Sequence, residues 1–104
     1  MPLKNYQEEV EEWIQQHKVE YFEPHEIVSC IVEEAGEIAR EVNHLHGPKK
    51  KKSSEKKGEL GVELGDLLFM MICMANSHNI DLDESFRKTM EKRYGRDKDR
   101  FERK

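Results

Sequence analysis

The segment from Leu64 to Ala75 constrains the fold most strongly, because it is apolar on nearly every side. It reads LGDLLFMMICMA, and only Gly65 and Asp66 interrupt its apolar side chains. A helix of this kind has more apolar surface than one chain of 104 residues easily covers. We therefore expect a homo-oligomer, either a homodimer or a homotetramer, that completes the core between subunits.

Apolar residues recur at spacings of three and four in four segments, and no segment shows the alternation of a strand. The helices are predicted at about 3–17, 24–46, 58–79 and 81–95. Short connections between helices of these lengths predict an all-α, four-helix bundle-like fold, with one domain over residues 1–104.

The fourth helix is expected to turn Leu82, Phe86, Met90 and Tyr94 towards the core. The tail beyond it is highly charged around one aromatic residue, Phe101, which we expect to dock the tail on the body.

Acidic and basic segments alternate along the chain. Residues 1–46 and 58–86 have net charges of −8 and −6, whereas 47–57 and 87–104 each carry +5. This alternation suits a cation-binding site beside an anion-binding surface, although ordinary solvated helix faces give the same tally. The lysine-rich loop at 48–57 has no interleaved aromatic residue, so nucleic acid is not an expected partner.

The chain has no secretory signal pattern and no run of about 20 apolar residues. We expect a cytoplasmic protein without a membrane span. Cys30 and Cys73 lie inside apolar helical patterns, so they are predicted to be reduced thiols rather than disulfide partners or zinc ligands.

Acidic residues occupy positions where the helical pattern calls for apolar ones. Glu34 falls three residues after Ile31 and four before Ile38, so it is expected to face the core. Asp66 is the single acidic residue of the apolar segment, and Glu63 lies one turn earlier on the same face. We expect Asp66 to be buried, which costs several kcal/mol unless the carboxylate is paired, neutralised or bound to a metal ion.

Two acidic pairs, Glu34/Glu37 and Glu63/Asp66, are thus predicted to face a common interior, and Glu33 flanks them. Carboxylates without thiols or imidazoles are the oxygen ligands typical of Mg²⁺ or Mn²⁺ rather than zinc or copper. The alternative is that most of these acids are solvated and that Asp66 meets a basic side chain from elsewhere in the chain.

The motifs EEAGE (33–37) and ELGD (63–66) resemble the E-E-x-x-E…E-x-x-D signature of MazG-like nucleoside triphosphate pyrophosphohydrolases. The resemblance extends over the whole chain. It implies hydrolysis of a nucleoside triphosphate to the monophosphate and pyrophosphate, serving nucleotide-pool housekeeping, with Mg²⁺ required and Mn²⁺ as a substitute. By motif position it implies four metal ligands, Glu34, Glu37, Glu63 and Asp66, and it implies that Glu33 orients or deprotonates the attacking water.

The fourth helix and its tail supply basic candidates for binding the phosphates. We single out Lys92 and Arg93 as catalytic and Arg96 as a substrate contact. Trp13 is a candidate for stacking on the base, with core packing as the alternative. Asn79, or Asn76, is a candidate contact with the sugar or base.

Two other functions fit parts of the pattern. In the first, the chain is a non-catalytic helical interaction module whose acids form inter-subunit salt bridges. In the second, it is a di-iron carboxylate bundle, which expects Glu-x-x-His. Glu37 and Asp66 stand where those histidines are required, which disfavours the di-iron hypothesis.

Overall fold

The structure is a computed structural model that describes residues 2–17, 20–47 and 59–102. These residues form four α-helices: α1 (Leu3–Gln16), α2 (Pro24–His46), α3 (Leu60–Ser77) and α4 (Leu82–Tyr94). No strand occurs within the described ranges. The all-α prediction is confirmed, and the predicted lysine-rich loop at 48–57 lies outside the described residues.

Local sequence signals set the helix ends. Pro24 begins α2, and the Asp81 carboxylate caps α4 by accepting hydrogen bonds from two backbone N–H groups at 2.9 and 3.3 Å. Gly47 and Gly95 follow the last residues of α2 and α4. The predicted helix boundaries agree with the observed ones to within about two residues, the usual uncertainty at helix ends.

Helix α3 is central to the packing. It packs against α2 and α1, whereas α4 packs mainly on α1. The buried core joins α1, α2 and α3 through Val10, Ile27, Ile72 and Cys73. Both cysteines are free thiols, and burial raises the pKa of the Cys73 thiol, so that side chain acts as a small apolar group.

A polar network ties α1 to the end of α3. The Gln7 side-chain amide donates to Asn76 Oδ1 at 2.9 Å and to the Ile80 carbonyl at 2.8 Å. The Asn76 amide in turn donates to the Gln7 carbonyl at 3.0 Å and to Tyr21 Oη at 3.1 Å. The Tyr21 hydroxyl donates to the Glu11 carboxylate, and burial together with this bond raises the pKa of Tyr21 to about 12.

The predicted burial of α4 and the tail is wrong for three aromatic residues. Leu82 and Met90 are half-buried, but Phe86, Tyr94 and Phe101 are exposed. The reason is that α4 packs mainly against α1, so the other described helices cover little of its remaining faces.

Much apolar surface of α2 and α3 is also exposed in the single chain. Val28, Val32 and Val42 form an exposed stripe on α2, and Leu64 and Met71 are exposed on α3. The Cα radius of gyration is 17.2 Å, against about 13 Å for a compact chain of this length. One chain alone therefore covers less of α3 than a compact globule would.

Helix α3 is the one helix of the described residues that is long and apolar enough to cross a membrane by length and composition. Its 18 residues have a mean hydropathy of 1.4. This is weak evidence for a span, because the core helix of a soluble protein meets the same criteria.

Candidate functional site

Three carboxylates from two helices converge. One oxygen atom each of Glu34 on α2 and of Glu63 and Asp66 on α3 lies within 4.8 Å of the other two. We call these three residues the carboxylate cluster. The packing of α2 on α3 produces it, because Glu34 shares a helix face with Ile31 and Ile38, which are half-buried.

The cluster opens towards solvent on one side. Glu34 and Glu63 are half-buried, but Asp66 is exposed, so the prediction that Asp66 is buried is wrong for the single chain. Asp66 lies on a part of α3 where neighbouring positions such as Leu64 and Gly65 are exposed as well. A ligand that approaches the cluster can therefore reach it from the Asp66 side.

The electrostatics of the cluster favour a cation. Glu34 Oε2 is buried and accepts no hydrogen bond from a described residue. The pKa of Glu63 is raised, first by burial and then by the negative charges of Asp66 and Glu34, with smaller effects of Glu37 and Glu41. Crowded carboxylate oxygens, one of them buried without a donor, fit the ligand set of a hard divalent cation.

Two further predicted acids lie near the cluster on α2. Glu37 is exposed and is not among the three converging carboxylates, although it is close enough to raise the pKa of Glu63. Glu33 is exposed beside Glu34. Sequence reasoning missed Glu41, which is buried one turn beyond Glu37 and also acts on Glu63. Its spacing of four residues from Glu37 is the signal that points to it.

Trp13 lies in an apolar groove between α1 and α3. The groove has a volume of about 350 Å³, and Phe69 and Gly65 form part of its α3 wall. The Trp13 and Phe69 rings pack edge to face, with centroids 6.2 Å apart. Trp13 remains 46% exposed. The groove lies between α1 and α3, whereas the carboxylate cluster lies between α2 and α3, and no cluster residue lines the groove.

Asn79 is not brought to the cluster within one chain. It follows the end of α3, where it adopts a left-handed conformation with φ of 56°. Asp66 and Ser77 are eleven residues apart on α3, which is roughly 16 Å along the helix axis. Asn76, the other amide candidate, uses its side-chain groups in the network with Gln7 and Tyr21.

The basic candidates at the end of α4 gather around an acid that sequence reasoning missed. Arg93 Nη1 donates to Asp97 Oδ2 at 2.9 Å, and Arg96 Nε donates to Asp97 Oδ1 at 3.2 Å. Arg100 Nη1 also donates to Asp97 Oδ1, at 3.3 Å. These hydrogen bonds, that of Arg96 first, lower the pKa of Asp97 against the opposing effect of burial. Lys92 is exposed beside this group.

Comparisons with known proteins agree on one family. The MazG nucleotide pyrophosphohydrolase domain matches residues 22–101. YpjD of Bacillus subtilis (strain 168), an uncharacterised protein, is 45% identical over 102 residues, which cover 98% of this chain and 92% of YpjD.

Two crystal structures resemble the whole fold. The structure of YpjD from Bacillus subtilis has a TM-score of 0.81 at 41% identity and covers 92% of this chain and 96% of that chain. The structure of the Bacillus-conserved MazG protein, a nucleotide pyrophosphohydrolase, has a TM-score of 0.75 at 43% identity and covers 88% of each chain. The domain match spans most of this chain and includes the whole carboxylate cluster, so the chain belongs to the MazG nucleotide pyrophosphohydrolase family.

Proposed function

We propose that this chain hydrolyses a nucleoside triphosphate, in the ribo or deoxy form, to the monophosphate and pyrophosphate in a Mg²⁺-dependent reaction. The observation that carries the proposal is the convergence of Glu34, Glu63 and Asp66. Family membership and the resemblance to a MazG nucleotide pyrophosphohydrolase support it. Such an activity suits housekeeping of the nucleotide pool.

The three cluster residues, with Glu37 beside them, are the proposed ligands of Mg²⁺, for which Mn²⁺ would substitute. The buried Glu34 Oε2 fits this assignment, because a cation satisfies a carboxylate oxygen that no described donor reaches. A bound divalent cation supplies charge neutralisation for the phosphates and acidifies a coordinated water.

Glu33 is proposed to orient or deprotonate the attacking water. It is exposed and directly precedes Glu34, which leaves its carboxylate accessible to a water beside the cluster. A carboxylate within hydrogen-bonding reach of the water accepts its proton as the bond to phosphorus forms.

The remaining contacts concern the rest of the nucleotide. Lys92, Arg93 and Arg96 are proposed to bind the phosphates and stabilise the departing pyrophosphate. The groove at Trp13, between α1 and α3, is proposed to hold the base against the indole ring. The contact of Asn79 with substrate stays a prediction, because within one chain this residue lies at the far end of α3.

A homo-oligomer is proposed as the functional form. The exposed stripe of Val28, Val32 and Val42 on α2 is one apolar surface that a second copy would cover, and Leu64 and Met71 on α3 form another. A helix with apolar residues on more than one face is expected between two layers of packing rather than at a surface.

The decisive experiment incubates the protein with Mg²⁺ and a panel of canonical and modified nucleoside triphosphates, and separates the products. Monophosphate and pyrophosphate are the expected products for at least one substrate. Failure of every substrate, or release of orthophosphate alone, contradicts the proposal.

The Asp66→Asn variant serves as the matched test of the site. It removes one negative charge from an exposed position and is expected to abolish turnover while the circular dichroism spectrum stays helical. Full activity in this variant contradicts the metal assignment. The non-catalytic module predicts no stabilisation by Mg²⁺, so a metal-dependent rise in melting temperature separates the two hypotheses.

A further inference from the structure

Asp97 is a carboxylate placed under three arginines. It lies in the turn that follows α4, and its side chain is only 2% exposed. Arg93 reaches it from the last turn of α4, whereas Arg96 and Arg100 reach it from the turn itself. A single acid thus contacts three guanidinium groups from both sides of the helix end.

The arrangement leaves a concentrated positive charge. The four side chains carry a net charge of +2, because one carboxylate faces three guanidinium groups. The arginine side chains are 61 to 67% exposed. Each guanidinium has five N–H donors, and each uses one of them on Asp97, so most of the donors face solvent.

Two other basic residues of α4, Arg87 and Lys88, are compensated locally. Arg87 pairs with Glu91 at 2.5 Å and Lys88 pairs with Glu84 at 3.5 Å, both one helical turn away. The excess positive charge of this region therefore lies at the end of α4, around Asp97.

Backbone hydrogen bonds hold the turn that carries these side chains. The Asp97 N–H donates to the Lys92 carbonyl at 3.0 Å, and the Arg100 N–H donates to the Asp97 carbonyl at 3.1 Å. The Gly95 N–H donates to the Glu91 carbonyl at 2.9 Å. Asp97 is thereby fixed relative to α4, and the arginines that bond to it are fixed in turn.

We propose that Asp97 is a positioning residue that assembles Arg93, Arg96 and Arg100 into one anion-binding surface for a phosphate chain. Guanidinium groups bind phosphate oxygens in a forked geometry, and a long arginine side chain loses less entropy on binding if another contact already orients it. The identity of the anion, a nucleoside triphosphate or the pyrophosphate product, rests on the proposed function. The assembly itself rests only on the contacts around Asp97.

Two explanations of anion binding, positioning of the arginines and simple charge attraction, predict opposite effects of the Asp97→Asn substitution on affinity. The substitution raises the net charge of the group from +2 to +3, so an unorganised basic surface would bind an anion more tightly. Loss of the shared carboxylate releases the arginines, so a positioned surface binds it more weakly. Isothermal titration calorimetry with inorganic pyrophosphate in metal-depleted buffer measures the difference, and we expect affinity to fall by about fivefold.

Two further variants control for folding and for local charge. Arg100→Lys keeps the charge but loses the fork, and is expected to weaken pyrophosphate binding as Asp97→Asn does. Lys98→Gln removes a positive charge from the same turn without touching Asp97, and is expected to change affinity less than twofold. Circular dichroism checks that each variant retains its helices.

The outcomes separate this proposal from the enzymatic one. Equal or tighter binding by Asp97→Asn, or no binding of pyrophosphate by the wild type, overturns the positioning role even if the protein turns over nucleotides. Weaker binding by Asp97→Asn and Arg100→Lys supports it even if no substrate of the panel is hydrolysed.

Discussion

Each residue of the carboxylate cluster destabilises the folded state when no cation is bound. Glu34, Glu63 and Asp66 place like charges within 4.8 Å, and the raised pKa of Glu63 reports the cost of keeping that group ionised. Such a cluster persists in a fold when a bound cation offsets the repulsion. Stability with and without metal is therefore a measure of the site that does not depend on finding the substrate.

Glu34→Gln should uncouple stability from metal binding. In metal-depleted buffer its melting temperature is expected to equal or exceed that of the wild type, because one repulsive charge is gone. The wild type should gain about 2.7 kcal/mol at a Mg²⁺ concentration of 100 times Kd, and the variant should lose most of this gain. Thermal unfolding with and without MgCl₂ makes the comparison.

Glu33→Gln is the matched control for that prediction. It alters the adjacent residue, which is proposed to act on the attacking water rather than to bind the metal ion. The variant should keep the Mg²⁺-dependent rise in melting temperature and lose turnover. Loss of the rise in Glu33→Gln, or its full retention in Glu34→Gln, contradicts the division of roles.

Asp97 should contribute a pH-dependent part of the stability. Its pKa in the folded chain is lower than the usual value of 3.8, so its contribution is fully present above pH 3.8. The contribution is lost as the pH falls through the lower folded pKa. The difference in free energy of unfolding between wild type and Asp97→Asn is therefore expected to be constant near neutral pH and to shrink below pH 3.8. Urea unfolding across this range tests it, and a difference that grows with acid contradicts it.

At the scale of helices, the start of α1 is capped by a residue about 80 positions later in the chain. Pro2 stands at its N-cap without a side-chain hydrogen bond. The Asp83 carboxylate supplies the cap instead, accepting the Leu3 N–H and the Lys4 N–H, each at 2.9 Å. Since Asp83 lies in the first turn of α4, this contact fixes α4 against α1 as well.

Asp83→Ala is expected to destabilise the protein by about 1 to 2 kcal/mol, the usual cost of losing a helix cap. Urea unfolding measures the loss, and hydrogen exchange should show faster opening of the first turn of α1. Glu84→Ala is the control from the same turn, because its carboxylate pairs with the exposed Lys88. That variant should cost less than about 0.5 kcal/mol. Equal effects of both substitutions would contradict the cap.

The helices show which features a sequence pattern predicts and which it does not. Periodicity and caps are local signals. Residues 24–46 alone therefore predicted the bounds of α2 and the face of that helix on which Glu34 lies. The bonds from Asp83 to α1 join residues about 80 positions apart, and no local pattern encodes them. The exposure of Phe86 and of Asp66 likewise depends on which elements cover a helix, and periodicity alone does not supply that information.

At the scale of the whole molecule, the exposed stripe on α2 argues for a second copy. Val32 is the most exposed of its three valines, at 65%, whereas Ile27, on another face of the same helix, is fully buried. Burying this stripe and the exposed apolar residues of α3 would contribute about 25 cal/mol for each Å² removed from water. The proposed association would also decide which of the exposed residues near the carboxylate cluster remain open to a nucleotide.

Val32→Glu is expected to shift the protein to smaller species, because a charge buried in an apolar interface lacks a partner. Analytical ultracentrifugation should show a wild-type mass of at least twice the 12.4 kDa chain and a lower mass for the variant. Gln16→Glu adds the same charge at an exposed position of α1, outside the stripe, and should leave the mass unchanged. A wild type that sediments as a single chain at micromolar concentration contradicts the oligomer, and equal dissociation by both variants contradicts the stripe as its interface.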